Sequence, residues 1–561
     1  MNKQHIQNLL VNQAKVPQDM VVGAIEIPES TMGDFSFPVF KLAKIYKKSP
    51  NIIAQEISSN IDDVEIARVQ AINGYVNFYL DRDKFVGNVL RSFDLSQKTF
   101  GNGHTICIDY SSINIAKPMH IGHLSSTAIG GSLYQMYKYL GYNVVGINYL
   151  GDWGTQFGKL IYAYLTWGNR QDILDRGIEG LLELYVKFHD CAEQDKSIED
   201  SAREWFLKIE QGDIQALELF EWFKEITLKE VAKVYDMLDI SFDSYKGESF
   251  FNDKIQPIVK ELMDKGLLVE SDGAKVVQLQ DDMPPALILR RDGASLYVTR
   301  DLAAAKYRKE TYNFSKCLYV VAYQQNLHFK QVFGVLDKMG YEWAKDCLHI
   351  PFGMVSLKNG DTLSSRKGKV VFLEKILKDA IQKALVTIEQ KNPNLKDKDS
   401  VAKMVGIGAV VFGALSTDRI KDIVFDIDKA LQFEGETGPY LQYTHARCCS
   451  ILSKCGQDTL SPYSTDETIK CRGVDTDTFE LVKLISRLDE TIIVACNRYE
   501  PSLLARLLLD IAQAFNKFYI TNHILSAETD VYSFRLQIVK LTQQVLKLGM
   551  SLLLLKSPIE M

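Results

Sequence analysis

The sequence predicts a multidomain α/β protein whose central Rossmann-type parallel-sheet domain carries a helical insertion. A small α+β domain precedes the sheet domain, and an all-α domain follows it. Three observations support this fold class. The chain has 561 residues, about three to four domains' worth of protein. A strand, a loop, a helix and a second strand follow one another from residue 105, and nearly all of the chain after residue 374 has helical spacing.

Composition and charge exclude several classes of protein. The chain has 46% hydrophobic and 24% charged residues, which excludes wholesale disorder. Its net charge of −6 argues against a wholly basic nucleic-acid binder, although a local basic patch can still bind RNA. The nine cysteines form no C-x-x-C pair, so free thiols and a reducing cytoplasm are expected. The longest uncharged apolar run, residues 404–415, is shorter than the ~20 residues of a membrane span, and the amino terminus lacks a signal-peptide pattern.

The small α+β domain is expected over residues 1–100. The segment YVNFYL (75–80) has the alternation of a strand. Lys41, Lys44 and Lys48 are spaced so that they share one face of a predicted helix. Taken alone, such a row is most simply a solvated helix face.

The parallel-sheet domain is expected over residues 101–375. It opens with the strand ICIDYSS (106–112), a loop and a helical pattern from His120, and continues with the strand and turn YNVVGINYLGDWG (142–154). The first turn lacks G-x-G-x-x-G, which argues against a dinucleotide coenzyme. A Leu-, Glu- and Lys-rich pattern predicts the helical insertion at about residues 160–240. Strands are predicted again at 276–279, 317–325 and 348–357.

The rest of the chain is predicted to be helical. We expect a helical connector over residues 376–425 and an α-helical domain over residues 426–561, on signals such as LLARLLLDIAQAFNKFYI (503–520). No dedicated metal site is predicted in any part of the chain.

The motif His120-Ile121-Gly122-His123 stands where the first strand has ended and a helix begins. A helix amino terminus presents unpaired N–H groups and the positive end of the helix dipole, so it attracts phosphate. Gly122 leaves room for a flat group against the backbone, and this arrangement suits ATP. The alternative is two surface histidines beside a tight turn.

A second segment, TLSSRKGK (362–369), combines hydroxyl groups, three cations and a glycine. Cations of this kind can neutralise the charge that develops on a leaving pyrophosphate. Standing alone, the segment would be an ordinary basic surface loop.

Together these two motifs resemble the paired signatures of class I aminoacyl-tRNA synthetases. Further segments resemble arginyl-tRNA synthetases across essentially the whole chain, among them SSINIAKPMHIGHL (111–124), LGDWGTQFGKL (150–160), GASLYVTRDLAAAKYR (293–308) and FEGETGPYLQYTHAR (433–447). The resemblance implies ATP-dependent ligation of L-arginine to its tRNA through an arginyl-adenylate, with AMP and pyrophosphate released. It also implies that tRNA is required for activation, that Mg²⁺ accompanies the ATP phosphates and that the protein is a cytoplasmic monomer.

The resemblance assigns an ATP site to residues of both signatures. ATP binding is expected at His120, Gly122, His123, Met354, Val355, Ser364 and Ser365. Most class I enzymes carry lysines where this chain has Thr362 and Ser365. The cations expected to replace them at the reacting phosphates are Lys117, Arg366 and Lys367, and the signature histidines complete the catalytic set.

The same resemblance assigns the arginine pocket. Asn114 and Gln325 are expected to bind the amino-acid ammonium group, and Glu248, Tyr297 and Asp301 the guanidinium. A guanidinium pairs with carboxylates and stacks on aromatic rings, so these residue types fit that role. Without the resemblance, Asp301 would be interpreted as a helix N-cap and Tyr297 as a strand core residue.

Contacts with tRNA are expected in both outer domains. Tyr443, Tyr519, His523 and Met561 match the surface on which the family binds the anticodon loop, whereas Phe515 and Phe518 are expected in the helical core. The amino-terminal unit looks like the additional tRNA-binding domain of the family, with Lys41, Lys44 and Lys48 as contacts to the tRNA elbow.

Two alternatives remain open at the level of sequence. A small-molecule adenylyltransferase of the same superfamily would share the His-x-Gly-His turn, but it has no use for a large helical tail. A non-catalytic tRNA-binding paralogue is the other alternative, and loss of a signature histidine would favour it.

Overall fold

The computed structural model describes residues 3–28, 32–280, 283–291, 297–357, 371–456, 471, 473–524 and 529–561. The chain divides into two compact units. The first comprises Met1–Leu95, Cys448–Asp489 and Asp510–Val545, and the second comprises Ser96–Arg447, Glu490–Leu509 and Leu546–Met561. The Rossmann-type fold with its insertion lies in the second unit.

The amino-terminal part of the first unit is the predicted small α+β fold. Its elements are α1 (Lys3–Asn12), α2 (Gln18–Val21), β1 (Phe35–Pro38), α3 (Phe40–Tyr46), α4 (Pro50–Ser59), β2 (Ile66–Ile72), β3 (Tyr75–Leu80) and α5 (Arg82–Ser92). The strands form an antiparallel sheet in the order β1-β3-β2. Val76 and Phe78 of β3 are fully buried, so the central strand carries the core of this sheet.

One expectation for this part is wrong. Helix α3 ends at Tyr46, because Lys47 has a left-handed backbone with φ 52°. Lys48 therefore lies beyond the helix and pairs with Glu56 at 2.7 Å. Lys41 and Lys44 are on α3 and exposed. The regular spacing of the three lysines does not correspond to one helix face.

The parallel sheet of the second unit has the strand order β10-β9-β4-β5. The chain enters it through β4 (Thr105–Asp109), α6 (Gly122–Tyr139) and β5 (Asn143–Ile147). The insertion follows as five helices: α7 (Thr155–Trp167), α8 (Arg170–Arg176), α9 (Ile178–Gln194), α10 (Ser197–Glu210) and α11 (Ile214–Leu238). Because β4 lies between β5 and β9, its carboxyl end is flanked on both sides, which is where open parallel sheets bind ligands.

After the insertion the chain builds a small antiparallel sheet before it returns to the parallel one. The elements are α12 (Ile255–Asp264), β6 (Leu268–Ser271), β7 (Ala274–Val277), β8 (Ala286–Leu289), α13 (Tyr297–Tyr312), β9 (Lys316–Tyr319), α14 (Asn326–Lys338) and β10 (Cys347–His349). The strand expected at 276–279 belongs to the antiparallel sheet β6-β7-β8. The strand expected over 317–325 ends at Tyr319.

The apolar run 348–357, expected as one strand, is split between two sheets. Its first part is in β10, and its second part is β11 (Val355–Leu357). β11 pairs in parallel with β12 (Ile423–Phe425), a strand inside the region that was expected to be helical throughout. The remaining elements of the region are α15 (Leu373–Lys391), α16 (Lys398–Leu415) and α17 (Ile427–Ala430). Gly406 lets α16 approach α15 closely, because a Cβ there would lie 2.6 Å from the Ile381 nitrogen.

The last part of the chain is all-helical in the described residues. It comprises α18 (Gly438–Lys454), α19 (Thr476–Ile485), α20 (Leu488–Arg498), α21 (Ser502–Thr521) and α22 (Thr529–Leu552). Phe515 and Phe518 are fully buried in α21, as expected. All nine cysteines are free thiols. Over the described ranges, none of the helices combines the length and the apolar character that a membrane crossing requires.

Candidate active site

A tight loop joins β4 to α6 and carries the first signature. Ser111, Ser112 and Ala116 have φ values of 70°, 42° and 62°, a left-handed conformation that L-residues adopt rarely. Side chains of other elements hold the loop in place: the Ser111 N–H donates to Ser126 Oγ at 2.9 Å, and the Ala116 N–H donates to Thr227 Oγ1 of α11 at 3.0 Å. The helical insertion therefore helps to shape the loop.

His120 and His123 come together at the amino terminus of α6. The His120 N–H donates to His123 Nδ1 and the Gly122 N–H donates to His120 Nδ1, both at 3.1 Å, and the ring centroids are 4.0 Å apart. A ring nitrogen that accepts a backbone N–H carries no proton, so the hydrogen bonding assigns the proton to Nε2 in both rings. Each histidine is thus set to donate from Nε2.

Burial keeps both imidazoles neutral. It is the main cause that lowers the pKa of His123 to about 3, with His120 and Lys117 adding to the effect. Burial also lowers the pKa of His120, again with a contribution from the positive charge of Lys117. The Lys117 ammonium lies 5.9 Å from the ring centroid of Tyr185 in the insertion. The sequence-predicted cation Lys117 is therefore close enough to act electrostatically on the histidine pair.

The second signature, residues 362–369, lies outside the described residues, whereas the expected ATP-site residues Met354 and Val355 are described. Val355 is buried in β11, whereas Met354 is 37% exposed and its N–H donates to Asp422 Oδ1 at 2.7 Å. Ser364, Ser365, Arg366 and Lys367 lie outside the described residues. The chain after that gap pairs with the first signature, because Phe372 forms an antiparallel bridge to His120 and the Leu373 N–H donates to the Met119 carbonyl at 2.9 Å.

Two carboxylates form the acidic part of the site. Asp301 lies inside α13, so it is not the N-cap of that helix, and His328 Nε2 of α14 contacts its Oδ2 at 2.5 Å. Glu248 begins a 3-10 turn (Glu248–Lys254), and its Oε2 is buried without a hydrogen-bond partner in the described part of the chain. Burial raises the pKa of Glu248 to about 8, and the negative charge of Asp301 adds to it, while Arg300 acts in the opposite direction. Among the described residues, the negative charges acting on Glu248 therefore outweigh the positive charge of Arg300.

The segment that bears Glu248 is fixed by Asp152. Asp152 is fully buried and accepts the Ser249 N–H at 2.8 Å, the Ser249 hydroxyl at 2.7 Å and the Lys224 ammonium of α11 at 2.7 Å. The Glu248 N–H also donates to the Leu150 carbonyl at 2.9 Å. Asp152 belongs to the segment LGDWGTQFGKL (150–160), and its residue type alone indicates no role. The fixed geometry of this carboxylate is visible only in three dimensions.

A buried ion pair joins the first loop to α13. Arg308 Nη2 donates to Asp109 Oδ2 at 2.7 Å, and the Ser112 hydroxyl donates to Asp109 Oδ1 at 2.7 Å. Both charged side chains are nearly inaccessible, with exposed fractions of 3% and 5%. The pair ties the carboxyl end of β4 to the helix that carries Asp301.

The remaining residues that are predicted to bind arginine lie at the surface of the same unit. Asn114 is exposed and forms a bridge with Gly151, where a Cβ would lie 2.4 Å from Asn114 Oδ1. Gln325 is exposed at the end of the 3-10 turn Tyr323–Gln325. Tyr297 is the first residue of α13 and 62% exposed, so the alternative of a strand core residue is wrong. His328 and Tyr149, which contribute polar groups to the acidic part, were missed by sequence reasoning.

The predicted tRNA-binding side chains are divided between the units. In the first unit, Tyr519 is 42% exposed, and the exposed His523 accepts a hydrogen bond from Arg535 at its carbonyl, at 2.9 Å. In the second unit, Tyr443 is 38% exposed with the Arg447 guanidinium 4.9 Å from its ring centroid. The Met561 carbonyl accepts a hydrogen bond from Asn392 at 3.2 Å.

Comparison with known proteins gives matches along nearly the whole chain. Residues 85–427 match the family described as tRNA synthetases class I (R), catalytic domain. Residues 441–561 match the DALR anticodon binding domain, and residues 3–80 match the arginyl tRNA synthetase N terminal domain.

Among sequence relatives, the chain is 48% identical over 570 residues to the arginine–tRNA ligase of Alkaliphilus metalliredigens, covering 100% of this chain and 99% of that protein. It is 49% identical over 549 residues to the arginine–tRNA ligase of Halothermothrix orenii, covering 96% and 95%. The solved Thermus thermophilus arginyl-tRNA synthetase superimposes with a TM-score of 0.84 at 24% identity, covering 100% of both chains. This last likeness concerns the fold, and it confirms the predicted fold class.

Proposed function

The chain belongs to the arginyl-tRNA synthetase family, and from this premise we propose which of its residues attach arginine to tRNA(Arg). The reaction is the ATP-dependent aminoacylation of tRNA with arginine. The arginine carboxylate attacks the α-phosphorus of ATP, pyrophosphate leaves, and the adenylate passes its arginyl group to the 2′-hydroxyl of the terminal adenosine, which releases AMP. The protein contributes mainly positioning and charge stabilisation to these steps.

The observation that carries this proposal is the acidic pair beside the signature loop. Glu248 has a buried oxygen without a partner, and its pKa of about 8 reflects burial and the charge of Asp301. Such a site gains stability from a cation that brings its own N–H donors, as the arginine guanidinium does. Tyr297 stands one helical turn from Asp301, close enough to stack on the bound guanidinium. Asn114 and Gln325 then bind the ammonium end.

The histidine pair serves the nucleotide. Neutral rings with Nε2–H groups can donate to phosphate oxygens, and the amino terminus of α6 favours negative charge in the same place. The backbone at Gly122 receives the adenine. Met354, Val355, Ser364 and Ser365 complete the ATP site. The antiparallel bridge between His120 and Phe372 supports this role, because it brings the chain back to the histidines directly after the second signature.

The charge of the leaving pyrophosphate is neutralised by Lys117, Arg366 and Lys367. Lys117 already lowers the pKa of both histidines, so its charge is felt at that turn. The described groups there are imidazoles and amides, whereas Mg²⁺ prefers oxygen ligands, so Mg²⁺ should enter with the ATP phosphates. It supplies further neutralisation of phosphate charge. Of the described residues, one trio has metal-ligand spacing, His5, Asp63 and Glu65, and it belongs to the first unit.

Contacts with tRNA are proposed for both ends of the chain. Exposed Tyr443 and Tyr519 can stack on unpaired bases, with His523 and Met561 beside the anticodon loop. Lys41, Lys44 and Lys48 would contact the tRNA elbow. We assign tRNA elbow binding to residues 1–100 and catalysis to residues 101–375. Residues 376–425 form a connector, and residues 426–561 bind the anticodon. A cytoplasmic monomer stays a prediction.

The test is ATP–pyrophosphate exchange with arginine, with and without tRNA, on the wild-type chain and on His123→Ala. Exchange that requires both arginine and tRNA, and that falls by about 100-fold or more in the variant, is expected. Exchange without tRNA would contradict the tRNA-dependent activation. Binding of tRNA without any exchange would contradict the catalytic role.

A further inference from the structure

Tyr149 stands beside the acidic part of the site and has no role in the function proposed above. It follows β5 by two residues, at the edge of the parallel sheet where the signature loop lies. The backbone of the next residue, Leu150, accepts the Glu248 N–H at 2.9 Å. The two segments approach closely at Gly247, where a Cβ would lie 2.5 Å from the Leu150 carbonyl oxygen. The backbone segments that bear Tyr149 and Glu248 are therefore hydrogen-bonded and closely packed against each other.

The hydroxyl of Tyr149 is buried and has no hydrogen-bond partner among the described residues. Burial is the main cause that raises its pKa well above the usual value, and the carboxylates of Asp301 and Glu248 are the next causes in order. The phenol therefore stays neutral, and the charges of both acids act on it. Leaving such a group unpaired costs free energy, so an unpaired buried hydroxyl in a binding site suggests that a ligand completes it.

Two acids of this region already have partners, whereas Glu248 Oε2 and Arg308 Nη1 are buried without one among the described residues. Asp152 is satisfied by Ser249 and Lys224, and Asp109 is satisfied by Arg308 and Ser112. The Tyr149 ring is held by the Arg308 guanidinium, 5.2 Å from its centroid, and by Phe251 at 5.9 Å. The ring is fixed, while its hydroxyl and the Glu248 Oε2 are both buried without a partner among the described residues.

We propose that the Tyr149 hydroxyl is a specificity-determining contact that accepts an N–H of the substrate guanidinium while it donates its own proton to a carboxylate of the pocket. A guanidinium is a donor only, with five N–H groups, so it needs several acceptors at once. Glu248, Asp301 and Tyr149 supply acceptors from three separate segments of the chain. A primary ammonium group has fewer N–H groups, and they point in different directions. It therefore leaves part of this set of three acceptors unpaired.

The test uses Tyr149→Phe, which removes the hydroxyl and keeps the ring. The KM for arginine should rise about tenfold, which corresponds to about 1.4 kcal/mol, with kcat changed less than about threefold. The KM for ATP and for tRNA should stay unchanged. The melting temperature without arginine should stay the same or rise, because an unpaired buried polar atom has been removed. The increase in melting temperature that arginine produces should shrink.

A matched control is Tyr319→Phe. The Tyr319 hydroxyl is also buried, with thiols as its polar neighbours, and its ring also lies against Arg308, at 5.1 Å. Its charged and polar neighbours are Cys317, Cys347 and Arg308, not the acids of the pocket. This variant should keep the wild-type KM for arginine, which separates the loss of a buried hydroxyl from the loss of a substrate contact.

Each remaining outcome counts against the inference, which rests on the proposed function. An unchanged KM for arginine in Tyr149→Phe, with wild-type activity intact, overturns the contact with substrate. A lower melting temperature or failure to fold overturns it as well, since it shows that the hydroxyl stabilises the protein itself. A wild-type chain without arginine-dependent exchange overturns the proposed function instead, so the two failures are distinguishable.

Discussion

The protonation of Glu248 is expected to change when the substrate binds, because its carboxyl group is partly buried. Its carboxyl group is partly buried, near Asp301, and has a pKa of about 8, so near neutral pH much of it is protonated in the free protein. A bound guanidinium stabilises the ionised form and lowers this pKa. Arginine binding should therefore release a proton below pH 8.

The pH dependence of arginine binding follows from that linkage. The KM for arginine should fall as the pH rises towards about 8 and level off above it, because only the ionised Glu248 pairs with the guanidinium. Glu248→Gln should raise this KM at least about tenfold and remove the pH slope. Steady-state exchange assays between about pH 6 and 9 measure both effects. A variant with the same slope as the wild type would assign the titration to another group.

The stability of the free protein should depend on Glu248 in the opposite sense. The folded-state pKa of about 8 lies above the ordinary value of 4.5, so between those limits the folded state holds a proton that the unfolded state has lost. Glu248 therefore lowers the free energy of unfolding as the pH rises through this window. Urea unfolding of Glu248→Gln should show a smaller decline than the wild type from about pH 5 to 8. An equal decline in both proteins would contradict the raised pKa.

His328 contacts Asp301 and is expected to position it in the proposed arginine pocket. Its contact with Asp301 Oδ2 leaves Oδ1 for the guanidinium, so His328 acts through the carboxylate. His328→Asn should raise the KM for arginine about three- to tenfold and change kcat little, whereas His328→Gln, whose amide reaches further, should recover part of the loss. Measurement of KM and kcat separately, with ATP saturating, tests this. An equal loss in KM for ATP would indicate a general structural defect.

At the scale of elements, α13 joins substrate binding to the sheet. Its first turns carry Tyr297 and Asp301, and Arg308 lies two turns later and pairs with Asp109 at the end of β4. The helix is thereby fixed to the loop that bears the signature histidines. This buried ion pair should therefore help to fix the proposed guanidinium pocket relative to the proposed ATP site.

Removing the cation of that ion pair should lower the free energy of unfolding. Arg308→Met leaves Asp109 buried without its partner, and such a loss typically costs about 3–5 kcal/mol. The variant should lower the midpoint of urea unfolding, followed by far-UV circular dichroism. The double variant Asp109→Asn with Arg308→Met should lose less than the sum of the single variants. Simple additivity would show that the two groups act independently.

At the scale of the whole molecule, a net charge of −6 means that tRNA is attracted by local groups and not by the overall field. Lys41 and Lys44 are exposed on α3, and Lys48 follows it in an exposed pair with Glu56. The three cations share one part of the amino-terminal unit even though they do not share a helix face. Their contribution should depend on salt, as contacts to phosphate do.

A triple variant tests this contribution. Changing Lys41, Lys44 and Lys48 to Ala should raise the KM for tRNA about three- to tenfold and weaken its salt dependence, with the KM for arginine unchanged. A matched control changes the exposed lysines 208, 229 and 260 of α10, α11 and α12 to Ala. Similar effects in both variants would indicate general electrostatic attraction, and no effect in the first would remove these lysines from the tRNA contacts.

The sequence by itself determined the fold class, the family and the residue types of the site, because hydrophobic periodicity and short motifs are local properties of the chain. Local patterns did not predict the ends of elements that depend on backbone conformation or on pairing between distant segments. Lys47 ends α3 by a left-handed turn, and one apolar run is divided between β10 and β11 because each part finds a different partner strand. Asp301 is in a helix and not at its cap for the same reason.

Only the tertiary structure decided which polar groups have partners. Tyr149, Glu248, His328 and Asp152 are separated by up to 179 residues in sequence, and their proposed roles follow from contacts, burial and charge that arise when the segments pack. The raised pKa of Glu248 and the unpaired Tyr149 hydroxyl come from desolvation and neighbouring charges. These properties depend on the distances between atoms, which a linear pattern of residue types does not contain.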